Sequence, residues 1–132
     1  MPTILIVEDN LRVAKFYSLA LERHGRMQCV RGGSGEEVLA LARAGNVDLV
    51  LLDISLANFT YQGRSVDGLE IARLLKADPR TRQIPILLAT AHAMEGDRER
   101  FLAASGAEDC LQKPIYDPKL LVEKVKALLA AE

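Results

Sequence analysis

Five side chains in this sequence could form one charged site: Glu8, Asp9, Asp53, Thr90 and Lys113. Each closes or follows a short apolar run. Ile4-Leu5-Ile6-Val7 precedes Glu8-Asp9, Leu49-Val50-Leu51-Leu52 precedes Asp53, Ile86-Leu87-Leu88-Ala89 precedes Thr90, and Lys113-Pro114 follows Cys110-Leu111-Gln112. Brought together, the three carboxylates repel: a unit pair at 4 Å costs about 4 kcal/mol at an effective dielectric near 20. A domain has only ~5–15 kcal/mol of net stability, so such a cluster needs a cation or must protonate in part. Carboxylate oxygens with an open position suit Mg²⁺. Neither histidine and neither cysteine sits at these run ends, which argues against zinc. An ammonium and a hydroxyl facing a metal make a receptor for a tetrahedral dianion, the equipment of phosphoryl transfer. The nucleophile in the set is a carboxylate, and its attack on phosphorus gives an acyl phosphate. Asp53 closes a very apolar run and is the candidate nucleophile.

These groups meet only if the runs are neighbouring strands. Five β-rich stretches stand out, at 3–7, 27–31, 47–52, 84–90 and 110–112, three of them nearly continuous in Ile, Leu and Val. That pattern suits strands buried on both faces of a parallel sheet. Helical spacing fills the gaps. Val13, Tyr17, Ala20 and His24 form one stripe, which places His24 on the inner side as a structural residue. Asn10 is the expected cap and Gly25 the expected stop. Ser34 and Glu37 read as a capping box. A third helix starts near Asp67 or Gly68 and ends at Asp78-Pro79. A fourth covers about 95–105 and stops at Gly106. A fifth begins at Asp117-Pro118. Strand and helix alternate five times, and right-handed crossovers then give a doubly wound α/β fold. In such sheets ligands bind beyond the carboxyl ends of the strands, where all five side chains fall.

The bulk properties agree with one soluble domain over residues 1–132. The chain has 17 basic and 18 acidic residues and a net charge of -1, so nothing argues for nucleic acid or an anionic membrane as partner. Its first residues lack a basic region and a long apolar run, so neither a signal peptide nor a membrane span is expected. Cys29 and Cys110 lie in or beside apolar runs without metal-ligand spacing and read as buried, reduced thiols of a cytoplasmic protein.

Ile4 to Asn10, Asp48 to Asp53, Thr90-Ala91 and Lys113-Pro114 together resemble the motifs of bacterial two-component response-regulator receiver domains, in order and over nearly the whole chain. The resemblance implies a five-stranded parallel sheet of order 2-1-3-4-5. Asp53 would be the phosphoacceptor. Asp9 and Asp53 would ligate Mg²⁺ with the backbone carbonyl of Ser55, and Glu8 would hold it through water. Thr90 and Lys113 would contact the phosphoryl group, and the Lys113-Pro114 peptide would be cis. The donor would be a sensor histidine kinase or a phosphotransfer protein. A downstream protein target would bind at about 95–132. If the chain is the natural full length, it is a stand-alone receiver.

Three departures from the family pattern stand out. Cys110 occupies the usual aromatic position, three before the lysine, which puts the family's switch coupling in question. Ala57 replaces a common proline, and the loop that follows is roughly seven residues longer than usual. The extra stretch, 58–66, contains Phe59 and Tyr61. These rings either form a lid or pack back on the domain, and packing back is the expectation. His92, two after Thr90, either tunes the lifetime of the acyl phosphate or faces solvent without a role. Among other classes, a flavin binder of similar fold would need a phosphate loop where Glu8-Asp9-Asn10 stands. A haloacid-dehalogenase-like phosphatase would need Asp-x-Asp where Asp53-Ile54-Ser55 stands, and a P-loop enzyme lacks its motif. The remaining alternative is a pseudo-receiver, an interaction module that takes no phosphate.

Overall fold

The computed structural model describes residues 1–91 and 94–131. Its main sheet holds β1 (Thr3–Val7), β2 (Gln28–Arg31), β3 (Leu49–Asp53), β6 (Ile86–Thr90) and β7 (Asp109–Gln112). They are parallel and ordered β2-β1-β3-β6-β7. This is the expected 2-1-3-4-5 order, renumbered because a small antiparallel pair, β4 (Thr60–Tyr61) and β5 (Arg64–Ser65), intervenes. The helices are α1 (Leu11–Gly25), α2 (Gly35–Arg43), α3 (Gly68–Ala77), α4 (Asp97–Ser105) and α5 (Pro118–Ala130).

Alternation along the strands divides the core in two. Leu5, Val7, Val50, Leu52, Ile86 and Leu88 face α2, α3 and α4 through Val38, Ile71, Leu75 and Phe101. Ile4, Ile6, Leu49, Leu51 and Leu87 face α1 and α5 through Tyr17, Leu21, Leu121 and Val125. The central strands β3 and β6 are buried at every position, which explains their continuous apolar runs. Burial of both faces fixes the register, and the register sets Glu8, Asp53 and Thr90 at one end of the sheet.

The helix ends are built locally. Asn10 Oδ1 accepts from the Arg12 and Val13 amides at 3.0 and 3.2 Å. Ser34 Oγ accepts from Glu37 N at 3.2 Å, while Glu37 Oε1 takes the amide of Gly33, one residue before the cap, at 2.7 Å. Asp67 caps α3 through the Glu70 amide at 2.9 Å. Gly106 ends α4 at φ 78°, and Pro118 opens α5.

α1 stops at Gly25 as expected, but the left-handed turn beyond it is made by Arg26 at φ 55° rather than by the glycine. A Cβ on Gly25 would stand 3.3 Å from Val122 of α5, so this glycine serves close helix packing. His24 is exposed rather than inward. The buried stripe of α1 ends at Leu21, and His24 lines a surface depression shared with Pro118. Met27 lies outside β2 because its amide closes α1, donating to Leu21 O at 3.2 Å. Cys110 is buried, Cys29 is half-buried, and both are free thiols.

Candidate functional site

Strand register brings the acidic groups together. Val7 pairs with Leu52, so Glu8 and Asp53 are the next residues of adjacent strands. Asp53 is level with Ala89, which sets Thr90 one residue further out on β6. Glu8, Asp53 and Thr90 are all nearly fully buried. One carboxylate oxygen from each of Glu8, Asp9 and Asp53 lies within 4.8 Å of the others. Lys113 Nζ stands 3.1 Å from Glu8 Oε1 and 3.2 Å from Asp53 Oδ2. The Lys113 amide donates to Thr90 O at 2.7 Å, and the Lys113-Pro114 peptide is cis. Ser55 donates its amide to Asp53 Oδ1 at 3.3 Å.

Thus Glu8, Asp9, Asp53 and Lys113 converge, with Thr90 and Ser55 attached to the cluster through the backbone bonds just given. His92 lies outside the described residues. The 58–66 segment is not the bare excursion expected. It forms the β4–β5 hairpin, turned by Gln62 and Gly63 at φ 52° and 76°, a pairing of positive φ angles that suits a tight two-residue turn. Phe59 is buried in the core and Tyr61 packs against it, so both rings turn inward, as expected.

The charges are unevenly balanced. Burial, with the neighbouring Asp53 carboxylate, pushes Glu8 up to about 7, against the pull of the Asn10 amide and Lys113. Asp9 is lowered: its partial burial is outweighed by the amides of Ala57 and Asn58 and by a side-chain hydrogen bond with Glu8. Lys113 is raised, because the charges of Asp53 and Glu8 outweigh its partial burial. The arrangement fits a divalent cation: three hard oxygen donors converge, and Lys113 is the one cation paired with them among the described residues.

Sequence reasoning missed the groups that act through the backbone. Asp9 Oδ2 accepts from Ala57 N at 2.7 Å and Asn58 N at 3.0 Å. The Arg31 guanidinium reaches the Glu8 carbonyl, both contacts at 3.4 Å. Gly68 packs its Cα on the Asp53 carbonyl oxygen, where a Cβ would collide, while its amide donates to Ile54 O at 2.9 Å. Amide positions leave no trace in residue type. Gly68 alone carried a signal, as a glycine at a helix start directly after Asp67.

The model of the response regulator receiver domain matches residues 4–126. The polar-differentiation response regulator DivK of Brucella ovis is 39% identical over 127 residues, covering 96% of this chain and 95% of the relative. Among solved structures, a CheY-like response regulator receiver domain protein from Methanospirillum hungatei JF-1 superposes with a TM-score of 0.78 at 25% identity, over 99% of this chain and 95% of that one. The receiver domain of a signal transduction histidine kinase from Syntrophus aciditrophicus gives 0.78 at 29% identity, over 99% and 92%.

Proposed function

Since this chain belongs to the response regulator receiver domain family of two-component signalling, we propose that it is a switch that takes a phosphoryl group on Asp53. The observation that carries the reading is the convergence of Lys113 with three carboxylates at the ends of β1 and β3. Residues 1–132 act as one receiver domain. Asp9 and Asp53, with the Ser55 backbone carbonyl, would hold Mg²⁺ directly, and Glu8 would hold it through water. When bound, Mg²⁺ neutralises the oxygens of the incoming phosphoryl group.

The chain's own residues do the rest. An Asp53 carboxylate oxygen attacks phosphorus of a phosphohistidine on a sensor kinase or phosphotransfer protein. The P–O bond forms, the P–N bond breaks, and the released imidazole takes a proton from solvent. Lys113 pairs with the transferred group in place of its carboxylate partners, and the Thr90 hydroxyl donates to it. The acyl phosphate carries up to two negative charges where the Asp53 carboxylate carried one, in a buried site. That charge biases the end of β6 and, through Lys113, the end of β7. A protein target in the cytoplasm reads the change at about 95–132, the region of α4, β7 and α5.

Intact mass after incubation with acetyl phosphate and Mg²⁺ tests this. The expected result is one added phosphoryl group, absent without Mg²⁺ and absent in Asp53→Asn. A folded chain that takes no phosphoryl group and binds no beryllofluoride would instead be a pseudo-receiver interaction module.

A further inference from the structure

The hairpin between β3 and α3 is tied to the rest of the chain at three places. At its base, Ala57 N and Asn58 N donate to Asp9 Oδ2 at 2.7 and 3.0 Å. At its root, Phe59 is 2% exposed in the core, and Val66 N closes the base by donating to Phe59 O at 3.0 Å. At its tip, Gln62 N donates to Glu36 Oε2 of α2 at 2.6 Å. Beside that bond the Tyr61 ring lies on Gly35, so closely that a Cβ there would come within 2.7 Å of Tyr61 Cβ. The hairpin is thus docked on α2 and holds one oxygen of Asp9 with two main-chain donors.

Asp9 needs this support. Glu8 and Asp53 are buried and paired with Lys113, whereas Asp9 is half-buried and belongs to none of the ion pairs of the described residues. A free carboxylate on a turn samples several rotamers, and only some of them face Glu8 and Asp53. Two amides on Oδ2 hold one orientation, the one in which the carboxylate faces Glu8 and Asp53. We infer that the β4–β5 hairpin is a clamp on Asp9: it sets the affinity of the acidic cluster for Mg²⁺, and bound Mg²⁺ in turn tightens the hairpin. The inference rests on the reading of Asp9 as a metal ligand. Partners that orient a metal ligand commonly affect affinity on the order of tenfold or more. The coupling is reciprocal by thermodynamic necessity.

Mg²⁺ binding is measured by titration calorimetry on the whole chain and three variants, with amide hydrogen exchange of the wild type with and without Mg²⁺. Ala57→Pro deletes the shorter N–H donor. Gly35→Ala leaves a good helix former in the first turn of α2 but lifts Tyr61 off it. Asp9→Asn removes the ligand itself. The expected result is Mg²⁺ binding by the wild type, weakened on the order of tenfold in Ala57→Pro and Gly35→Ala, and lost in Asp9→Asn. The amides of Ala57, Asn58 and Gln62 should exchange more slowly when Mg²⁺ is bound. Wild-type affinity in a folded Ala57→Pro, or hairpin exchange indifferent to Mg²⁺, overturns the clamp and leaves the metal site standing. A wild type that binds no Mg²⁺ overturns the metal site and the clamp together. If Gly35→Ala does not fold, Ala57→Pro and the wild-type exchange decide.

Discussion

Glu8 has the most perturbed titration among the groups that meet at the site. Its folded value is about 7 against an ordinary 4.5. Between those values the folded chain keeps a proton that the unfolded chain has released. The stability carried by neutral Glu8 is therefore fully present below about 4.5 and is lost as the pH rises through about 7. The lowered carboxyls of Asp9, Asp78 and Asp109 act in the opposite sense, but only as the pH falls below their ordinary 3.8. In metal-free buffer the urea midpoint should fall between pH 5 and 8, and Glu8→Gln should flatten that fall. An equal slope in the variant would assign the loss to another group. At this scale the sequence was informative where a side chain closes an apolar run: Glu8, Asp53 and Thr90 were readable because burial of the run dictates where it ends. The partners of Asp9 were not readable, because main-chain amides donate whatever their side chains are.

Elements were legible where their pattern is strong. The runs of β3 and β6 are apolar at nearly every position, and the Ser34, Asp67 and Asp117 caps each take the amide expected of a cap. The hairpin was not legible. Its strands are two residues each, too short for periodicity, and its turn is Gln62-Gly63 rather than the Asn-Gly or Asp-Gly that signals such turns. At Gly25 the end of α1 was legible but the reason for the glycine was not, since a glycine after a helical stripe looks the same whether it turns the chain or admits a neighbour. Gly68 shows what close approach requires at the site itself. Gly68→Ala should cost about 1–3 kcal/mol in denaturant melts, because the start of α3 must back away from the Asp53 carbonyl. An unchanged midpoint would mean that α3 shifts freely. Cys110 is also an element-scale matter. It is level with Leu88 in the ladder and lies in the same core cluster as Phe101, so the position three before Lys113 offers no aromatic ring to turn inward.

For the whole molecule, alternation and handedness made the doubly wound α/β class legible in the sequence, while the strand order came from the resemblance of its motifs to the receiver family. Which residues of a helix are buried depends on how far its packing extends along it, and His24 was misplaced because the buried stripe of α1 ends at Leu21. No helix among the described residues is long and apolar enough to cross a membrane. Because the acidic cluster joins β1, β3 and the segment leading to the hairpin, a cation bound there stabilises the folded chain as a unit. At a Mg²⁺ concentration 100 times its dissociation constant the gain is about 2.7 kcal/mol, a melting rise on the order of 5–10 °C for a domain of this size. Differential scanning calorimetry with Asp9→Asn as control checks this, and an equal rise in the variant would place the ion elsewhere.

Lys113 and Thr90 are joined by a main-chain hydrogen bond of 2.7 Å, and Thr90 is level with Gln112 in the ladder. Their side chains therefore hang from one hydrogen-bonded bracket rather than from two independent arms. On the proposed reading, a displacement drawn in at the end of β6 would be delivered to β7 without a joint in between. β7 is the outermost strand of the sheet. Mechanically, the interior of the molecule and one of its borders are the two ends of a single lever.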